Sequence, residues 1–133
     1  MLNLDLINDC LGLIGVLPEG VSSSAEQADL GLRELNTLVD EWADDGIIVN
    51  WSSQSTLSEV CSLMGLELQA VKYNLSIRLC PHFGRDPSQS MMFLAAGSYL
   101  KLQRIQMVNS MEPVTLSLPI AEAGITGSIL TDD

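Results

Sequence analysis

The sequence predicts a mainly α fold: a small four-helix bundle with a short strand or hairpin insertion and an extended C-terminal arm. Three observations carry this prediction. Apolar residues recur at three- and four-residue steps through four separate segments. Gly15, Gly46 and Pro81 stand where those segments stop. Past residue 112 the helical spacing gives way to a two-residue alternation bracketed by Pro113 and Pro119. At 133 residues the chain is about one domain long, read as a helical domain over 1–111 and an arm over 112–133.

In the first segment Leu4, Ile7, Leu11 and Ile14 mark one face of an amphipathic helix over 4–15. Asn3, Asp5 and Asp9 are candidate polar partners for its positive N-terminal end, and Gly15 with Pro18 ends it. Ser24 and Gln27 then have the spacing of a capping box, in which each side chain satisfies a backbone N–H that the helix start leaves unpaired. Ala28, Leu32, Leu35, Leu38 or Val39, and Trp42 form the buried stripe of a second helix over 24–45. Glu26, Asp29, Arg33, Asn36 and Asp40 face elsewhere, and Gly46 is the expected left-handed residue after the helix. Asp44 and Asp45 sit at the negative end of this helix, where the macrodipole disfavours each acid by about 0.3–1 kcal/mol. That conflict points either to a purpose or to simple solvation of a helix end.

The run GIIVNW at 46–51 is rich in β-branched and aromatic residues and leads through a polar turn to Thr56, Leu57 and Val60. This suits a short strand or hairpin over the helices, although 58–64 also fits an early start of the third helix. Leu66, Ala70, Tyr73 or Asn74, Ile77 and Cys80 place that helix at 65–80, stopped by Pro81. Asp86, Pro87 and Gln89 then combine an N-cap acceptor, a proline at the first position and a glutamine at the third. They predict a fourth helix over 87–110, with Met91, Leu94 or Ala95, Ser98 or Tyr99, Leu102, Ile105, and Val108 or Asn109 as facing positions. Gly97 costs this helix nearly 1 kcal/mol relative to alanine, which close packing of another helix against Ala95, Ala96, Gly97 and Ser98 would explain. Beyond Glu112, Val114, Leu116 and Leu118 alternate with polar residues, as in an edge strand that pairs with the chain's own short strand or with a partner's edge.

Composition narrows the function. No apolar run approaches the 18–20 or so residues of a membrane span. The first ten residues carry Asp5 and Asp9 without a base, unlike a secretory signal, so synthesis in the cytoplasm is expected. Cys10, Cys61 and Cys80 form no CxxC pair and read as free thiols. The net charge is −11, unevenly spread. Residues 1–71 hold twelve acids against Arg33 alone, whereas 72–111 hold five bases against Asp86. Those bases are too few and scattered to bind nucleic acid through its phosphates.

The stretch RLCPHFGRDPSQ at 78–89 gathers a cysteine, the single histidine, two arginines and an aspartate. A thiol nucleophile needs a cysteine and a histidine within hydrogen-bond reach, but Cys80 and His82 flank Pro81 and diverge from an extended corner. One Cys, one His and one Asp also fall short of a metal shell. A corner between two helices accounts for more of these residues, with His82 on the surface and Arg85 either solvated or paired with acids of the first half. No phosphate-binding glycine loop, zinc-helix motif or nucleophile elbow occurs anywhere, so neither an enzyme nor a cofactor is expected.

Two stretches, LVDEWADDGIIVNW (38–51) and NLSIRLCPHFGRDPSQS (74–90), together resemble the head-to-tail adaptor proteins of tailed, especially short-tailed, bacteriophages. These are also called head completion or packaged-DNA stabilisation proteins. The likeness rests on Glu41, Trp42, Asp45, Gly46, Ile47 and Ile48, and on Asn74 to Leu79 followed by Pro81, Gly84, Arg85, Pro87 and Ser88. It spans about residues 4–108 and departs from the family pattern at Ser76, Cys80 and His82. The resemblance implies a helical protein assembled as a ring of about twelve copies beneath the portal of the capsid. Such a ring extends the DNA channel, retains packaged DNA and carries tail components such as a hub, nozzle, fibre or spike. DNA would pass through its lumen without specific binding, and no membrane is involved.

On that reading Trp51, Arg85, Val114, Leu116, Leu118 and Ile120 are the residues expected to meet the portal or a neighbouring copy. Asp44 and Asp45 are expected to line the channel or its rim, repelling DNA phosphates. The rival reading is an acidic regulatory protein that mimics DNA and sequesters a basic partner.

Overall fold

Among the described residues, helical periodicity is realised in four α-helices: α1 (Asn3–Leu13), α2 (Ala25–Asp44), α3 (Gly65–Leu79) and α4 (Gln89–Ser110). A 3-10 turn over Cys80–Phe83 follows α3 directly. The computed structural model describes residues 1–110. The arm over 112–133, with Val114, Leu116, Leu118 and Ile120, lies outside the described residues. Within them the protein is a small, mainly helical bundle.

The central helix is α3, which packs against α1, α2 and α4, while α1 also packs on α2. It buries Ala70, Val71, Leu75 and Leu79 against Leu6, Ile7 and Leu11 of α1, Leu35 and Leu38 of α2, and Met91 and Leu102 of α4. Each fully buried leucine or isoleucine contributes about 1.5–3 kcal/mol, so the apolar spacing of the four segments supplies the core. Gly31 lets α1 approach α2: a Cβ added there would stand 2.5 Å from Ile7 Cγ2.

The ends of α2 follow the local chemistry. Ser24 Oγ accepts from the Gln27 N–H at 3.2 Å, and Gln27 Oε1 accepts from the Ser24 N–H at 2.9 Å. At the other end Gly46 has φ +88°; its N–H donates to the Ala43 carbonyl at 3.0 Å and the Ile47 N–H donates to the Trp42 carbonyl at 2.8 Å. This is a Schellman end, completed by the buried pair Trp42 and Ile47.

The fourth helix begins two residues later than the sequence suggests. Ser88 Oγ accepts from the Met91 N–H at 3.1 Å, so Ser88 supplies the cap in place of Asp86, and Pro87 precedes the helix. As expected, α3 stops just before Pro81: the α-helix ends at Leu79, Pro81 falls in the 3-10 turn that begins at Cys80, and the chain leaves through Gly84 at φ +64°.

The expected strand at 46–51 does not form. Among the described residues the β pairing is one isolated antiparallel bridge, Leu2 with Val60. Residues 46–51 spend their backbone groups elsewhere: the Ile48 N–H donates to Gln106 Oε1 at 2.8 Å, and Gln106 Nε2 donates to the Ile48 carbonyl at 2.5 Å. Ile47 and Val49 are buried anchors of an irregular link, which is why the run is so apolar. Residues 57–61 pair with the N-terminus: the Asn3 and Leu4 N–H groups donate to the carbonyls of Glu59 (2.9 Å) and Leu57 (3.0 Å). Two orphan donors of the first turn of α1 are thereby satisfied by a distant loop.

Candidate assembly surface

Helix α4 is apolar on both sides. Its inner side places Met91, Ala95 and Leu102 against the core, and Asn74 of α3 donates to the Ala95 carbonyl at 3.1 Å. Its outer side exposes Phe93 by 67%, Leu100 by 55% and Val108 by 61%. An amphipathic helix on a water-exposed bundle carries polar residues on that side, whereas a helix apolar all round is covered on all sides. The close helix contact expected at Gly97 is not made within the bundle, since a Cβ added there would meet open space. Exposed Lys101 and Arg104 accompany the outer apolar residues and form no ion pair among the described residues.

A second feature lies along the C-terminal half of α2. Val39, Asp40 and Ala43 of α2, with Ile48, Val49 and Trp51 of the link, line a groove of about 250 Å³. Trp51 is half-buried as one wall, and its indole N–H donates to Asn36 Oδ1 at 2.7 Å. It is therefore fastened to its own chain, with only part of the ring available to a partner. Ile48 is 65% exposed at the lip, where Gln106 holds its backbone.

The expected acids divide. Asp44 is exposed with no ion pair among the described residues, whereas Asp45 accepts from Tyr99 Oη at 3.1 Å. The Tyr99 ring also meets Trp42 at 5.3 Å between centroids, so Asp45 and Trp42 together dock α4 to the end of α2. Burial, with the Asp45 carboxylate beside it, raises the Tyr99 pKa. This fold-building role of Asp45 was not visible in sequence spacing, because its partner lies 54 residues away.

Arg78, counted with the basic second half, is spent inside the protomer. Its Nε donates to Glu34 Oε1 at 2.9 Å, its Nη1 donates to Glu41 Oε1 at 3.0 Å, and its Nη2 reaches Glu41 Oε2. The hydrogen bonds from Arg78 hold the Glu41 carboxyl below its usual range. Exposed His82 approaches Glu34 Oε2 at 3.4 Å. Arg85 is exposed and pairs with no acid among the described residues; its Nη1 lies 3.7 Å from where a Gly15 Cβ would stand, just past α1. A cation there suits the negative end of that helix.

The thiols of the corner and core are sequestered. Cys80 is buried and its Sγ donates to the Ser76 carbonyl at 3.4 Å, while burial raises its pKa, opposite to what a nucleophile requires. Cys10 is fully buried and its pKa is pushed up to about 12 by desolvation. The chain matches no protein-family model and no curated protein.

Proposed function

We propose that the protein is a structural head-to-tail adaptor that assembles as a ring under a phage portal, extends the DNA channel and carries the tail components. The observation that carries this reading is the apolar outer side of α4, which suits a subunit whose surface is covered by other protein. The resemblance at 38–51 and 74–90 supplies the particular assembly. Buried apolar area would hold the copies together, with charge setting register, since an exposed ion pair is worth about 0–1 kcal/mol. The arm, through Val114, Leu116, Leu118 and Ile120, attaches the subunit to the portal by strand addition.

The alternative, an acidic DNA mimic, has less support. Arg78 pairs with both Glu34 and Glu41 within the fold, offsetting one of their two charges, and exposed Arg33 interrupts the acids along the outside of α2.

The test is to mix the purified protein with the portal protein encoded beside it and image the product by electron microscopy. A ring of added density at the portal's outer end is expected; bare portals under saturating protein would reject the reading. Deleting everything after Glu112 should leave a folded helical domain that no longer attaches.

A further inference from the structure

We propose that the outer ridge of α4 in one copy seats in the groove between α2 and the 47–53 link of the next copy. This inference rests on the self-assembling reading above and names the two surfaces that meet. The ridge is the exposed side of α4, where Phe93, Leu100 and Arg104 recur at seven- and four-residue steps and so lie along one line. The groove offers complementary chemistry: apolar Val39, Ala43, Ile48 and Trp51 beside polar Asn36 and Ser53, with exposed Asp40 in its wall.

Charge selects this groove as the occupant's seat. Lys101 and Arg104 are exposed cations on a largely apolar ridge, and Asp40 is an exposed acid in a groove of mixed lining. None of the three forms an ion pair among the described residues. A second α4 would set cation near cation and is the poorer occupant. Ridge and groove are different surfaces of the same protomer, so the contact is heterologous and propagates head to tail until it closes as a ring. Trp51, pinned by Asn36, gives the groove a rigid aromatic wall, which loses little conformational entropy when a partner covers it.

The experiment uses the full chain with two single substitutions, Leu100→Glu on the ridge and Ile48→Glu on the groove. Both side chains are exposed, so circular dichroism should match the wild type for each, and thermal melting should match at dilutions where the wild type is monomeric. Native mass spectrometry and light scattering over a concentration series should show the wild type self-associating. Each variant alone should be monomeric, weakened by about a hundredfold or more because an unpaired carboxylate is buried. An equimolar mixture of the two should recover a one-to-one dimer, since one retains its groove and the other its ridge.

A wild type that stays monomeric at every concentration overturns the proposal, as does a mixture that fails to pair. An Ile48→Glu chain that still dimerises while Leu100→Glu does not would show α4 meeting α4 and equally overturns it. Pairing in the mixture without attachment to portals would retain this contact and reject the adaptor reading. Portal attachment by wild type and both variants together with a mixture that fails to pair would do the reverse.

Discussion

Arg78 joins the two charged halves of the chain within a single protomer. Its planar guanidinium holds Glu41 by both oxygens and Glu34 by one, a geometry that lysine cannot reproduce. Because the folded state holds the Glu41 pKa below its unfolded value, the stabilisation is complete above the unfolded value. It disappears as pH falls through the lowered folded value. Urea midpoints measured from neutral pH downward should therefore drop through the carboxylate range, and Glu41→Gln should flatten that acid limb. The thiols provide a second check at this scale. Cys10 and Cys80 are buried and Cys61 is half-buried, so an aromatic disulfide reagent should titrate one thiol quickly in the native protein. Cys61→Ser should abolish the fast phase.

Among the elements, α2 was the most legible, because its capping box, its stripe and Gly46 act over a few residues and need no distant partner. The α1–α2 crossing depended on a tertiary contact. Gly31→Ala would gain somewhat under 1 kcal/mol of helix propensity but would force Ile7 and α1 aside. A net loss of about 1–3 kcal/mol in thermal unfolding is expected. The link at 46–51 shows why a strand-like composition misleads. Its buried residues are anchors, and Gln106 takes the place of a neighbouring strand at Ile48. Gln106→Ala should cost about 1 kcal/mol and speed hydrogen exchange of the Ile48 amide while leaving α2 protected. The start of α4 was misplaced for a different reason: Asp86 and Ser88 are both competent caps, and only the packing of Met91 into the core chooses between them.

At the scale of the whole bundle, α3 gathers the other helices and, among the described residues, only one side of α4 is covered. That asymmetry makes the bundle suited to assembly. At the end of α2, Asp45 is committed to Tyr99 and Asp44 has no ion pair among the described residues, so on the proposed adaptor reading Asp44 is the acid left to face a channel. Asp44→Lys should slow DNA ejection from reassembled particles or impair retention of packaged DNA without changing thermal stability. Unchanged ejection and retention would remove Asp44 from the lumen. Asp45→Lys should instead lower stability, because it loses the bond from Tyr99.

The sequence by itself determined four helices, most of their ends, the free thiols and the uneven charge. Each of these follows from residue spacing or from chemistry within a turn or two of chain. Only the tertiary structure decided that Arg78 is spent on Glu34 and Glu41, that Trp51 is pinned to Asn36, and that no described residue covers the outer side of α4. Those outcomes depend on which helix faces lie side by side across tens of residues, a choice made by packing around α3 that local periodicity does not encode.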